Sequence, residues 1–348
     1  MQQRLRSHMR RFLTGVLFAI FHCPAWAETA VPSGYSLTPE HVAVVVNTSD
    51  PKSVEVGQYY LGARNIPSKN LIRIALPDHP ARITPAVFNK LRQQIESQLQ
   101  PDIEVITLAW TTPYAVDCNS ITSAMTLGFD PAQCENTCAA GKASKYFDSP
   151  SLRPQKELGM RLTMLLPTEN VPQAKALIDR GILSNFRRVP ATAYYLITSD
   201  ANRNSRAQFF PPSGVIPPLQ FSVKTMKADS LEDVQDIMVY QTGLVSVPRL
   251  ETLGFLPGAL ADHLTSFGGD LLGKSQMSSL RWLEAGATAS YGTVSEPCNH
   301  WQKFPNPTVL LKHYLSGASA VEAYWKSVAW PAQGLFIGEP LASPYRAP

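Results

Sequence analysis

The stretch HVAVVVNTSDPKSVEVGQYYLGARNIPSKNLIRIAL (His41–Leu76) decides the reading of the fold. His41 to Val46 is a short β-branched run ending at Asn47, the composition of a strand. Asp50 then offers an N-cap and Pro51 the first helical position, so a helix is expected over Pro51–Arg64. Ile66-Pro67 stops it, and Leu71 to Leu76 alternates as a second strand. Thr84-Pro85 opens another helix, whose Phe88, Leu91, Ile95 and Leu99 recur at i, i+3, i+7 and i+11 as one apolar stripe. Ile103 to Trp110 is almost continuously apolar, as in a strand covered on both faces of a parallel sheet. Strand, helix and strand alternating at this spacing make βαβ units.

The pattern continues downstream. Further strands are expected at Ala193–Thr198, Ile237–Gln241, Ala287–Thr293 and Leu335–Ile337. Helices are expected at Val171–Arg180, Gln276–Glu284, Pro307–Leu315 and Ala318–Ser327. No linker or internal repeat divides the chain. The expectation is a three-layer α/β/α sandwich on a mostly parallel sheet, one domain over residues 28–348.

Composition supports a folded, exported chain. Of 348 residues 44% are hydrophobic and 17% charged, which excludes disorder. The net charge of +4 is concentrated at the N-terminus. Arg4, Arg6, Arg10 and Arg11 are four of the 31 cationic side chains, and the other 27 balance 27 acids. No basic field remains to attract nucleic acid. The arginines precede an apolar segment, Phe12–Phe21, and then Ala25-Trp26-Ala27. Together these are the parts of a secretory signal peptide over residues 1–27, cleaved after Ala27. No apolar run in the remaining chain approaches the ~18 residues of a membrane-spanning helix. Localisation is therefore expected to be periplasmic or extracellular.

Export changes the meaning of the cysteines. Cleavage removes Cys23, where bulky Phe21-His22 argue against lipidation, and leaves Cys118, Cys134, Cys138 and Cys298. An even number in an oxidising compartment points to disulfides. Cys134 and Cys138 are spaced to close a short loop, leaving Cys118 for Cys298. The rival is a zinc site of Cys118, Cys134 and Cys138 with a histidine. Three of these cysteines lie in Thr111–Glu157, a segment without convincing periodicity that follows a central strand. A loop of that length is expected to be functional or tied down, and to border the site at the strand ends.

Three C-terminal segments end apolar runs in polar turns rich in glycine or proline: Ala259–Gly269, Leu283–Pro307 and Ala323–Tyr345. Asp262, His263 and Ser266 supply an acid, an imidazole and a hydroxyl, the parts of an activated nucleophile. They equally describe a capped turn in which Gly268-Gly269 takes positive φ. Cys298 and His300 add a thiol and a second imidazole. Glu296 and Glu339 each follow a strand and together could serve as paired carboxylates. Trp282, Trp301, Trp325 and Trp330 could floor a cleft for sugar or peptide, or pack the core. No phosphate-binding loop, dinucleotide fingerprint, nucleophile elbow or HExxH motif occurs, and no cofactor is expected.

Long phrases carry a resemblance: LAWTTPYAVDCNSITSAMTLGFD, YYLITSDANRNSRA, GALADHLTSFGG, QMSSLRWLEAGATASYGTVSEPCNHWQKFPNP and IGEPLASPY. Together they resemble a family of exported bacterial proteins from genomes that carry the exosortase envelope-sorting system. The resemblance implies a link to the envelope and to exopolysaccharide, and supplies no activity. A second resemblance is to caspase-like cysteine peptidases of the gingipain type. In those, one strand ends in His-Gly and the next in Ala-Cys. Here IMVYQTG (Ile237–Gly243) has Thr242-Gly243 at the first place, and ALADHLTSFGG has Thr265-Ser266 at the second. The resemblance thus implies a peptidase scaffold that has lost the cysteine mechanism or uses another set of residues around the same cleft. Two functions follow as expectations: a module that binds a peptide or glycan of the cell envelope, or a secreted hydrolase using Ser266 or Cys298 with His263 or His300 as base.

Overall fold

The computed structural model describes residues 37–347, so the expected signal peptide and its cleavage site lie outside the described residues. In chain order the strands are β1 Val42–Asn47, β2 Leu71–Ile74, β3 Arg82–Ile83, β4 Val105–Ala109, β5 Ala115–Val116, β6 Asn119–Ser120 and β7 Leu162–Leu165. They continue with β8 Ala191–Ile197, β9 Gly214–Ile216, β10 Phe221–Lys227, β11 Ile237–Thr242, β12 Phe255–His263, β13 Ala289–Thr293 and β14 Gly334–Gly338. The helices are α1 Pro51–Arg64, α2 Pro85–Glu96, α3 Ile121–Leu127, α4 Pro131–Glu135, α5 Pro154–Leu158, α6 Val171–Ser184, α7 Leu280–Ala285, α8 Pro307–Leu315 and α9 Ala320–Ser327.

Local chemistry starts these helices where the sequence says. The Asp50 carboxylate accepts from Lys52 N–H at 3.0 Å, and Thr84 Oγ1 accepts from Val87 N–H at 3.3 Å, each with proline at the first helical position. Strands β1 and β4 are buried at every residue, as their unbroken apolar runs require.

Eleven strands form one sheet in the order β2-β1-β4-β7-β14-β13-β12-β11-β8-β10-β9. Its polarity changes once in the middle. Strands β2, β1, β4, β7 and β14 are mutually parallel. Strands β13, β12, β11, β8 and β10 form a second parallel block. The blocks meet antiparallel at β13/β14, where Tyr291 pairs with Phe336, and β9 closes the far edge antiparallel to β10.

Helices cover both faces. Gly57 of α1 lies against Val44, Val46 and Ala109. Thr163 of β7, which bonds Thr126 of α3 at 3.1 Å, is in register with Ile106, on the opposite face from Thr107 and its partner Val44. The fold is the expected three-layer α/β/α sandwich on a mostly parallel sheet.

Two regions differ from the sequence reading. Strands β7, β9 and β10 carry no pattern that announced them. The Thr111–Glu157 segment contains β5, β6, α3, α4 and most of α5 instead of irregular chain. Residues Ile121 to Thr126 of α3 are all buried, so the helix has no exposed stripe from which periodicity could be read.

Candidate functional site

Because β11, β12 and β13 are adjacent and parallel, their C-terminal ends share one edge of the sheet. Hydrogen bonds fasten the turns that follow. Leu264 N–H donates to Thr242 O at 2.9 Å, and Thr293 Oγ1 donates to Ser266 O at 2.8 Å. Gly269 N–H donates to Thr293 O at 2.8 Å. Gly268 and Gly269 do not adopt the positive φ expected of them. Their role is close approach: a Cβ on Gly269 would stand 2.5 Å from Gly292 O.

At this edge lies a concavity of about 250 Å³ whose lining includes Arg203, Thr265, Ser266, Glu296, Cys298 and Asn299. It thus gathers Ser266, Glu296 and Cys298 of the expected residues. It also brings in Asn202 and Arg203, which sequence reasoning missed. Their only signal was position, in the polar turn SDANRN after strand β8. Arg203 donates from Nε to Thr265 Oγ1 at 3.2 Å and from Nη1 to Asp200 at 2.6 Å.

Asp262 and His263 do not join this group. Alternation along β12 sends their side chains to opposite faces. Asp262 is 1% exposed and pairs with the Arg206 guanidinium, accepts from Gln241 Nε2 at 2.9 Å and from Tyr324 OH at 3.4 Å. Burial pushes its carboxyl above the usual range, against the pull of Arg206 and Gln241. It therefore cannot orient His263. On the other face His263, also 1% exposed, accepts from Trp282 Nε1 through Nδ1 at 2.9 Å, which places its proton on Nε2. Burial and the Arg206 charge push the imidazole down to about 3. A ring so buried and so weakly basic is a poor proton acceptor at neutral pH.

The second histidine is also occupied. His300 Nε2 meets Cys138 O at 3.0 Å, and its ring centroid lies 5.7 Å from that of Trp330. Among the described residues no imidazole hydrogen-bonds Ser266. Glu296 accepts from Cys298 N–H at 2.8 Å and so fixes the turn in which Cys298 and Asn299 both take left-handed φ, 56° and 59°. Glu339 belongs elsewhere. It is buried against Arg64 and Tyr60 beyond the C-terminal end of β14, which lies beside the N-terminal end of β13. The two carboxylates expected to pair thus occupy opposite edges of the sheet.

The cysteine pairing is Cys118–Cys134 and Cys138–Cys298, with Cα separations of 5.3 and 5.0 Å, in place of the expected Cys134–Cys138 and Cys118–Cys298. The reason is local. Asn119 Nδ2 donates to Asp130 O at 3.0 Å, while its Oδ1 accepts from Asp130 N–H at 2.9 Å. That reciprocal pairing brings the turn before α4 against β6 and delivers Cys134 to Cys118. Cys298 consequently offers no thiolate, and none of the three zinc-candidate sulfurs is free to ligate a metal.

The cystine-tied segment does border the site, but for a different reason than expected. It follows β4, which runs opposite to β11–β13, so it begins at the wrong edge. The chain returns across the sheet. Ser120 Oγ donates to Gly334 O, Ser295 Oγ donates to Cys118 O at 2.7 Å, and Cys138–Cys298 completes the tie.

The tryptophans divide in two. Trp282 and Trp325 are wholly buried, and Trp330 and Trp301 are half-buried at the surface.

No protein-family model matches the chain, and no curated protein matches it. Two solved structures are similar to it at 9% identity. One, described as "Structure of Protease", has a TM-score of 0.49, with 89% of this chain and 80% of that chain covered. The other is the "Complex of Porphyromonas gingivalis RgpB pro- and mature domains", with a TM-score of 0.41 and coverage of 87% and 79%. Among the described residues no helix is long and apolar enough to cross a membrane.

Proposed function

We propose that this chain is an exported binding module of the exosortase-linked envelope and exopolysaccharide system, built on a peptidase-like scaffold that has lost nucleophilic catalysis. Its cleft at the β11–β13 edge holds a peptide or glycan of the cell envelope. The observation that carries the reading is the state of Ser266. It lines a polar concavity, yet His263 is buried on Trp282 and His300 is engaged by Cys138 O. A hydroxyl that no imidazole hydrogen-bonds is a hydrogen-bonding group and not a histidine-activated nucleophile. Export is supported by the signal-peptide pattern of residues 1–27 and by two disulfides, which belong to an oxidising compartment.

The experiment is to treat the folded, oxidised protein with a fluorophosphonate probe and map any adduct by mass spectrometry. No modification of Ser266 is expected. Stoichiometric labelling that disappears in Ser266→Ala would establish the hydrolase reading instead.

A further inference from the structure

Two aromatic rings follow closely in sequence on the residues that line the concavity. Asn202-Arg203 is followed within six residues by Phe209. Glu296 to Asn299 is followed within two residues by Trp301. These rings meet with centroids 4.5 Å apart and planes tilted 53°. Neither is buried: both keep part of their surface in solvent. Next in the chain to Trp301, His300 packs on Trp330, another half-buried ring. These half-buried rings keep apolar surface available to a ligand, whereas Trp282 and Trp325 are wholly buried.

We infer that the ligand is a saccharide, stacked on the Phe209–Trp301 pair with its hydroxyls in the concavity. This rests on the binding reading above and chooses between its two ligand classes. A pyranose ring has an apolar C–H face and a polar rim. Trp301 and Phe209 match the face through dispersion and the ring quadrupole. The rim needs groups that donate and accept in a fixed plane. Asn299 and Asn202 each offer an amide that does both, Glu296 a carboxylate, and Arg203 a guanidinium already aimed by Asp200 and Thr265. The turn that presents Asn299 is held rigidly by Cys138–Cys298 and by Glu296 on Cys298 N–H, so little ordering remains to oppose binding. A peptide that docks by adding a strand finds no free place here, since β11, β12 and β13 are each flanked on both sides.

The test uses the full oxidised chain, with cellohexaose, chitohexaose and an alginate hexamer as saccharide probes and a randomised decapeptide mixture as the peptide probe. Tryptophan emission and saturation-transfer NMR are read. At least one saccharide should bind saturably. Trp301→Ala should weaken that binding by about ten-fold or more, as for an aromatic anchor that the ligand covers, and Trp301→Tyr should restore most of it. Circular dichroism checks the fold. Exposed Asn299→Ala should weaken the same saccharide and serves if Trp301→Ala does not fold. Peptide binding without saccharide binding overturns the inference and leaves the binding reading standing. Binding of neither class removes both. Saccharide binding unchanged in folded Trp301→Ala and Asn299→Ala places the ligand elsewhere and overturns the assigned site.

Discussion

Asp262 and His263 are adjacent in the chain and stand on opposite faces of β12, Asp262 paired with Arg206 and His263 capped by Trp282. An acid and an imidazole side by side invite a catalytic reading. In a strand adjacency ensures that they cannot meet. Each is instead part of a buried polar arrangement that fixes the element next to the cleft. Arg206 also donates to Thr242 O at 2.9 Å and to Pro305 O at 3.3 Å, so one guanidinium ties the β11 end, β12 and the chain before α8 together.

Asp262→Ala should therefore unfold readily. It leaves Arg206 buried without its counter-charge, a change that typically destabilises by about 3–5 kcal/mol. The joint replacement Arg206→Met with Asp262→Leu should recover part of the loss, although Thr242 and Pro305 lose a donor. Urea denaturation of the three proteins checks the order. Equal stability of Asp262→Ala and the native chain would show that the pair does not hold this edge.

His263 makes stability pH-dependent in a defined window. Its folded pKa is pushed from 6.5 down to about 3 by burial and by Arg206. Between those values the unfolded chain binds a proton that the folded chain refuses. The contribution is complete above about pH 6.5 and falls as pH drops, by up to about 1.4 kcal/mol per pH unit. His263→Gln retains an acceptor for the Trp282 N–H and removes the titration. Its stability between pH 6.5 and pH 4 should decline less steeply than that of the native chain. Parallel slopes would place the imidazole in contact with solvent.

The two disulfides should differ in weight. Cys118–Cys134 spans 16 residues and Cys138–Cys298 spans 160. On the chain-entropy model these closures stabilise by about 3 and about 5 kcal/mol. The double variant Cys138→Ser, Cys298→Ser should lower the melting temperature more than Cys118→Ser, Cys134→Ser. Non-reducing peptide mapping should recover the two pairs named here. A peptide linking Cys134 to Cys138 would contradict the connectivity.

Much of this architecture was legible because it is local. The bounds of α1 and α8 follow from Asp50-Pro51 and Asn306-Pro307, where the asparagine side chain accepts from Val309 N–H. The mostly parallel sheet followed from the alternation of strands and helices along the chain. What was not legible is tertiary. Nothing in LTML (Leu162–Leu165) distinguishes a central strand from a loop. Nothing in β13 or β14 says that they pair antiparallel and reverse the sheet. The four cysteines permit three pairings, and the one adopted depends on Asn119 finding the backbone of Asp130. Arg203 was overlooked because a single arginine in a polar turn carries no pattern.

The cleft also depends on two stretches of backbone touching. A Cβ on Gly292 would lie 2.3 Å from the carbonyl carbon of Gly268 and 2.4 Å from Gly269 N. Both obstacles are backbone and cannot rotate aside. Gly292→Ala must therefore push the Phe267–Asp270 turn off β13 and break the bond from Gly269 N–H to Thr293 O. Overpacking of this kind destabilises by about 1–3 kcal/mol. The displaced turn begins immediately after Ser266, so ligand affinity should fall even under conditions where the variant stays folded. Gly62 is the contrasting case. It sits within α1 with open space where a Cβ would go, so Gly62→Ala should stabilise by about 0.5–1 kcal/mol and leave binding untouched. Thermal melts and the saccharide titration, run on both variants, separate the two effects. If Gly292→Ala binds as the native chain does, contact between these backbones is not what shapes the cleft.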